Sequence, residues 1–318
     1  MSARIEVLKQ DIKQQGQADN EEQPHVIVGT MDNGVANIKK YEETVDHIFV
    51  DEAASIPLPK GMVLLHARKP ITLFGDHKQL PPIDNINIAN IQATDVDMCI
   101  WRFSMLYMAD IFRRSKDYVI TNSTSEVLPD FKEIPTVILS KTFRYDNALT
   151  KILNSHVYKA GLTSANTGTT KLCYHTVSSS NNTGLKRVNT AEIEAICDII
   201  QKHNLTGDIG IISPYKNQVF QIEKAIKNMK GPLRNKITSV STVHRAQGRE
   251  YDTVILSVSD RVDNAWFANA AQPRGQLCIN VAVSRAKRTL IIVCDQSWTW
   301  GVANKQLISD IISIAQKI

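Results

Sequence analysis

No apolar run in this chain approaches the ~20 residues a helix needs to cross a bilayer. The longest, "VILSVS" and "TLIIVC", have the length of strands, so a helical membrane protein is not expected. The first residues, "MSARIEVLKQDIKQQGQADNEEQ", lack the apolar core of a secretion signal. An intracellular protein of cytoplasm or nucleus is therefore expected, neither secreted nor membrane-bound. Cysteine is sparse: Cys99, Cys173, Cys197, Cys278 and Cys294 are scattered without any C-x2-C spacing. Free thiols in a reducing compartment are expected rather than a zinc site or a disulfide framework. Charge of one sign does not dominate either. The 37 Lys and Arg stand against 32 Asp and Glu, a net +5, which permits a polyanionic partner without demanding one. Internal repeats and long low-complexity tracts are absent too. The absence with the largest consequence is local: nowhere in the 318 residues does Gly-Lys precede Ser or Thr. The phosphate-cradling loop Gly-x4-Gly-Lys-[Ser/Thr] is therefore missing; "GTTK" at 168–171 has the wrong order.

What is present is the remainder of such a site. At 318 residues the chain is long enough for about two domains. Short apolar runs recur at 25–30, 47–52, 71–76, 136–140, 209–214, 237–243, 252–258 and 289–294. Several are apolar throughout, as strands buried on both faces of a parallel sheet must be. Between them, "TAEIEAICDIIQKHN" (190–204) opens with a Thr cap and "KNQVFQIEKAIKNMK" (216–230) is amphipathic, so both are expected helices. A further helix is expected at about 2–14. Strands alternating with helices give an α/β fold with parallel sheets. "SSSNNTG" (178–184) reads as a loop, and "LPDFKEIP" near 130–135 as a domain boundary.

Five segments carry chemistry. "FVDEAAS" ends a strand on Asp51 and Glu52. Strand ends open onto the crevice where α/β proteins bind ligands; an Asp there can hold Mg2+ and a neighbouring Glu can polarise an attacking water. "LFGDHKQLPPI" (73–83) runs through a glycine turn to Gln79 before two prolines, which holds a side-chain amide at the sheet edge, within reach of a γ-phosphate or a water. "LSKTFRYDNALTKILNSHVYKAGL" (139–162) leads a strand into Arg144 and a helix. In "STVHRAQGREYDTVILSVSD" (241–260), Gly248 allows a ligand close to the backbone. Glu250 there offers an acceptor for a ribose hydroxyl, and Thr242 and His244 can face a nucleic-acid backbone. "LCINVAVSRAKRTLIIVCD" (277–295) places Ser284, Arg285, Lys287 and Arg288 between a helix and a strand, with Arg285 expected to point into an interdomain cleft. Taken singly, each also fits a structural part: acids capping a turn, or a basic helix end matching the dipole.

Together, in this order and spacing, the five segments resemble motifs II to VI of superfamily 1 helicases, in the branch of the nonsense-mediated-decay helicase and senataxin. "GDHKQLPP", "QGREYD" and "NVAVSRAKR" are the most specific, and the resemblance covers roughly residues 25–295. It implies two RecA-like domains, the first (1–132) incomplete at its N-terminus and the second spanning 133–318. ATP would bind between them and single-stranded RNA or DNA would cross their top. By resemblance, Asp51 binds Mg2+, Glu52 activates the hydrolytic water and Gln79 senses the γ-phosphate. Arg144 and Arg285 serve as arginine fingers, and Gly248 and Glu250 touch phosphates and ribose. Thr30 in "HVIVGTM", Pro81, Thr242 and His244 lie along the nucleic acid. The missing loop implies a truncated helicase, with the upstream segment or accessory proteins as further partners. Its exposed sheet would leave apolar surface uncovered. A helicase-derived protein that binds nucleic acid or acts as a scaffold without hydrolysis is the alternative; a nuclease fusion partner finds no acidic cluster to support it.

Overall fold

The computed structural model describes residues 26–76, 78–82, 137–178, 187–229, 232–261, 267, 273–301 and 306–318. The expected helix at 2–14, the boundary near 130–135 and most of the loop at 178–184 lie outside them. The chain divides into two units: residues up to 77 with 81–136, and residues 78–80 with Val137–Ile318.

In the first unit, helices α1 (Met31–Ala36) and α2 (Ile38–Thr44) precede strand β1 (Ile48–Val50). A 3-10 turn at Ala53–Ser55, helix α3 (Leu58–Leu65) and strand β2 (Ile71–Leu73) follow. Residues 26–30, expected as a strand, are irregular, with Val26 64% exposed; β-branched residues form a strand only where a partner edge receives them. Strands β1 and β2 pair in parallel, Ile48 beside Ile71 and Val50 beside Leu73. One face packs Val50 with Ala53, Ile56 and Leu64. On the other face Phe49, 68% exposed, stacks with His47 at 4.4 Å and with Phe74 at 6.4 Å.

The second unit is a three-layer sandwich. Strands β3 (Lys141–Thr142) and β4 (Thr163–Ser164) form a small parallel pair flanking helix α4 (Asn147–Leu153). Then come β5 (Lys171–Val177), α5 (Thr190–Lys202), β6 (Ile209–Ser213), α6 (Lys216–Asn228), β7 (Ile237–Thr242), α7 (Val243–Ala246) and β8 (Tyr251–Ser257). The unit closes with α8 (Pro273–Val283), β9 (Ala286–Asp295), α9 (Gln296–Trp300), α10 (Leu307–Ile314) and β10 (Gln316–Lys317). Six strands form one parallel sheet in the order β10-β5-β9-β8-β6-β7.

Alternation along the strands supplies both faces of this sheet. Leu172, Ile212, Val254, Leu256, Leu290 and Ile292 meet α4, α7, α8 and α10. Their neighbours Cys173, Ile211, Ile255, Ile291 and Val293 meet α5 and α6. Helix α5 is capped by Asn189, whose side chain accepts from the Glu192 amide, rather than by Thr190. Residues 137–140, expected as a strand, are irregular, with Val137 82% and Leu139 79% exposed. Strand β5 takes the sheet position instead, and its mixed "KLCYHTV" carries no periodic signal.

Candidate functional site

The tip of β1 is a tight turn. Glu52 takes a left-handed backbone, φ 54°, and its amide donates to Asp51 Oδ1 at 2.9 Å. The Ser55 hydroxyl donates to the Glu52 carbonyl at 2.8 Å. The next strand end lies against this turn: the Phe74 amide donates to the Val50 carbonyl, and the Ala53 amide to the Phe74 carbonyl, both at 2.8 Å. Gly75 completes the contact, because a Cβ there would stand 2.9 Å from the Ala54 nitrogen. The glycine of "LFGDH" is thus a packing requirement, and it holds two of the sequence motifs side by side. Asp51 is exposed on this turn, so its carboxylate offers hard oxygen ligands of the kind Mg2+ takes. Among the described residues no group of three or more His, Cys, Asp and Glu stands ready to hold a metal. Asp51 therefore fits a Mg2+ ion that brings its remaining ligands from water and phosphate. Thr30 caps α1, its hydroxyl accepting from the Asn33 amide at 3.3 Å, and Pro81 is half-buried.

Within the second unit, Arg144 sits in the turn between β3 and α4, and its backbone is pinned from both sides. Asn166 Nδ2 donates to the Arg144 carbonyl at 2.9 Å and the Ser164 hydroxyl to the Tyr145 carbonyl at 2.7 Å. Asp146 caps α4, accepting from the Ala148 and Leu149 amides at 3.1 Å. It also exchanges 3.0 Å bonds with Thr170. The guanidinium is thereby aimed at the segment before β8. Its Nε donates to Glu250 Oε1 at 2.7 Å, Nη2 donates to the same oxygen, and Nη1 donates to the Ser284 carbonyl at 3.0 Å. Lys287 Nζ stands 3.8 Å from Glu250 Oε2. A pocket of about 350 Å³ opens here, lined by Arg144, Asn166, Thr169, Glu250, Lys287 and Arg288 among others. Three cations against one carboxylate suit a phosphate-bearing ligand. Gly248, at φ 75° and with open space where a Cβ would stand, leads into this segment.

Arg285, expected to point into an interdomain cleft, is turned into the second unit itself. It is 2% exposed, and Nε donates to the Val281 carbonyl at 3.0 Å, Nη1 to the Arg249 carbonyl at 3.3 Å and Nη2 to the Ser284 hydroxyl at 2.9 Å. The residue is a strut beneath the Gly248–Glu250 loop: guanidinium donors cost heavily unless met, and two backbone carbonyls and the Ser284 hydroxyl of its own unit accept from them.

Thr242 and His244 follow the opposite, C-terminal end of the strands. Because β8 is seven residues long, these positions and Glu250 sit about 23 Å apart along the sheet. Residues 78–80 group with this unit: Leu80 lies in its core, and Asn280 Nδ2 donates to the Lys78 carbonyl at 2.8 Å and to the Tyr158 hydroxyl at 3.1 Å. Gln79 stands between them in sequence.

The motifs gave no sign of a second polar cluster, at the C-terminal ends of β6 and β8. Glu192, fully buried, accepts from the Ser259 amide with both oxygens at 3.0 and 3.1 Å, from the Ser257 hydroxyl at 2.7 Å and from Asn189 Nδ2 at 3.2 Å. Burial pushes its carboxyl up from 4.5 to about 8, against the donors on Ser257 and Ser259 that lower it. Beside it, Asp260 accepts from the Tyr215 hydroxyl and from Arg187 Nη1 at 3.3 Å. Burial raises the Tyr215 phenol, as does the charge of Asp260. Asn189 followed three residues later by Glu192 is a helix-start pattern; that the glutamate reaches Ser259, 67 residues on, is visible only in the fold.

A protein family described as an AAA domain matches residues 120–297, more than half of the chain. The chain belongs to this family, within the superfamily 1 helicases of the nonsense-mediated-decay helicase and senataxin type. It is 26% identical over 279 residues to the DNA replication ATP-dependent helicase/nuclease DNA2 of Gallus gallus, covering 84% of this chain and 25% of that protein. It is 29% identical over 275 residues to the DNA-binding protein SMUBP-2 of Rattus norvegicus, covering 80% and 25%. The chain thus spans about a quarter of the length of these curated relatives. A solved PRRSV helicase structure is similar over 78% of this chain and 34% of its own, at 16% identity and a TM-score of 0.38.

Proposed function

We propose that this chain is the hydrolytic and strand-gripping part of an ATP-dependent helicase or translocase acting on single-stranded RNA or DNA. The observation that carries the reading is the clamp on Glu250, where Arg144 reaches across 106 residues of sequence and also holds the Ser284 carbonyl. A guanidinium pinned by its backbone yet tied to an exchangeable carboxylate is a group that can be handed to a phosphate.

When bound, Mg2+ neutralises charge on the β- and γ-phosphate oxygens. Asp51 would hold that ion. Glu52, on its rigid left-handed turn, would orient the attacking water and accept its proton. Gln79 would donate its amide to the γ-phosphate. Arg144 would release Glu250 and donate to the oxygens of the transferring group, leaving Glu250 to accept a ribose hydroxyl. Gly248 would let the phosphates approach the backbone. Arg285 holds that loop in place, and reaches a phosphate only by exchanging its bonds to Val281, Arg249 and Ser284. Thr242 and His244, with Thr30 and Pro81, would contact the sugar–phosphate backbone. Such contacts carry affinity without sequence information, so neither RNA nor DNA is favoured.

Binding without hydrolysis is the second reading, favoured by the lack of any Gly-Lys-Ser/Thr in the 318 residues. The two are separated by ATP turnover with and without a single-stranded oligonucleotide. The first reading expects stimulation by the strand, loss in Glu52→Gln, and a fall of about 10³-fold or more in Arg144→Ala. Oligonucleotide binding with no turnover at millimolar ATP refutes it in favour of the second.

A further inference from the structure

Outside the residues given roles above lies the buried cluster around Glu192, which joins three distant segments. Its carboxyl meets the start of α5 at Asn189 and the exit of β8 at Ser257 and Ser259. Gln218, on α6 and fully buried, closes the ring. Its Nε2 donates to the Ser257 hydroxyl at 3.0 Å and to the Asn189 carbonyl at 3.1 Å, and its Oε1 accepts from the Asn189 amide at 2.9 Å. The chain turns at Ser259 with a left-handed backbone, φ 59°. For a residue with a Cβ this conformation is unfavourable. The paired bonds from the Ser259 amide to Glu192 offset that cost and choose the turn. Beyond it, Asp260 is fully buried and accepts from Tyr215, Arg187 and the Phe267 amide. The Arg187 guanidinium also lies 4.9 Å over the Tyr215 ring. One carboxyl thus determines the path of the chain after β8 and, through Asp260, the attitude of the Tyr215 turn after β6. Both turns emerge at the same sheet end as Thr242, since Ser213 pairs with Thr242 and Leu256 with Ile212.

We propose that Glu192 is a positioning residue: it sets the left-handed turn at Ser259 so that the turns after β6 and β8 form one preorganised edge for single-stranded nucleic acid. This rests on the strand-binding reading above. A satisfied buried polar network selects one geometry where an apolar filling would allow several. The role requires hydrogen bonding rather than charge: glutamine keeps an oxygen for the Ser259 amide, and its N–H is accepted by the Ser257 hydroxyl once that hydroxyl rotates from donor to acceptor.

The test uses the full chain with Glu192→Gln, Glu192→Ala and Ser257→Ala. It reads amide hydrogen exchange at Ser259 and Asp260, and the anisotropy of a fluorescent single-stranded oligonucleotide. Glu192→Gln is expected to keep both near the unmodified protein. Glu192→Ala is expected to speed exchange at least 10-fold and to weaken binding by about the same factor, the consequence of losing hydrogen bonds of ~1–3 kcal/mol. Ser257→Ala, which leaves the Ser259 amide bonds in place, is expected to fall between them and keeps the test open if Glu192→Ala does not fold. Unchanged exchange in Glu192→Ala and Ser257→Ala overturns the proposal, as does equal weakening of binding by Glu192→Gln and Glu192→Ala. Should the unmodified chain bind no oligonucleotide, the strand-binding reading falls, while exchange at Ser259 still decides whether Glu192 sets the turn.

Discussion

Glutamine at position 192 removes an ionisable group from the interior while keeping its shape and its acceptor. In the folded protein the Glu192 carboxyl sits at about 8 against an ordinary 4.5, with burial as the main cause. The folded state therefore holds a proton that the unfolded chain gives up across this window, and stability must fall as pH rises from 4.5 towards 8. Below 4.5 the contribution is fully present; above 8 it is gone. Each pH unit inside the window is worth about 1.4 kcal/mol, so the whole span amounts to ~5 kcal/mol. Between about pH 5.5 and about pH 7.5 the protein should lose stability, on the order of 2–3 kcal/mol, that Glu192→Gln does not lose. Other carboxylates titrate in both proteins and cancel in the comparison. Urea unfolding of the two proteins at those pH values, followed by the fluorescence of tryptophans that include the buried Trp298, reads the difference directly. A stability gap that stays constant within about 0.5 kcal/mol would show that Glu192 is ionised in the fold, held as a carboxylate by Asn189, Ser257 and Ser259. The linkage reasoning would then be refuted.

Other consequences follow from single contacts. Gly75→Ala forces a Cβ to 2.9 Å from the Ala54 backbone nitrogen and should destabilise the first unit by about 1–3 kcal/mol, seen as a lowered urea midpoint. Gly248→Ala meets no atom within 4 Å, so it should cost only the ~1–2 kcal/mol of a left-handed backbone; a larger loss of stability would mean the loop is packed. Cys278 and Cys294, whose thiols burial pushes up to about 12, should stay unmodified by a thiol reagent in the native protein while half-buried Cys197 reacts before them. Arg285→Lys should loosen the Gly248–Glu250 loop, because an ammonium cannot span three acceptors as a guanidinium does. Faster amide exchange at Tyr251 would register this, since its N–H bonds the Arg285 carbonyl at 3.0 Å.

Three of the strands that sequence made legible are buried on both faces. "IGIIS", "DTVILSV" and "TLIIVC" became β6, β8 and β9 because an unbroken apolar run in a parallel sheet has helices to meet on either side. Helices α5 and α6 were legible for the matching reason, an apolar stripe at helical spacing. The runs at 25–30 and 136–140 look equally strand-like, yet those of their residues that are described are irregular and exposed. A strand exists only where another edge offers its hydrogen bonds, and that is not written locally. β5 shows the converse, a mixed sequence recruited because the neighbouring β9 pairs with it over seven residues.

For the candidate site, the motifs nominated Asp51, Glu52, Arg144, Gly248 and Glu250 by their resemblance to the family's segments. The order of these fingerprints already pointed to the family to which the chain belongs, since short runs of polar residues after apolar strands are legible without any coordinates. It could not assign partners. Arg144 and Glu250 are 106 residues apart, and only the folded sheet brings their charges together. Arg285 reads from its motif as a cation pointing into an interdomain cleft, but the cost of an unmet guanidinium ties it to oxygens beneath the Gly248–Glu250 loop. Glu192 reads as a helix-cap acid, and the Ser259 amide makes it a buried anchor. Apolar pattern and fingerprint spacing are local quantities, carried by the chain itself. Which polar group satisfies which is a question of desolvation and geometry, and those exist only once the layers have closed.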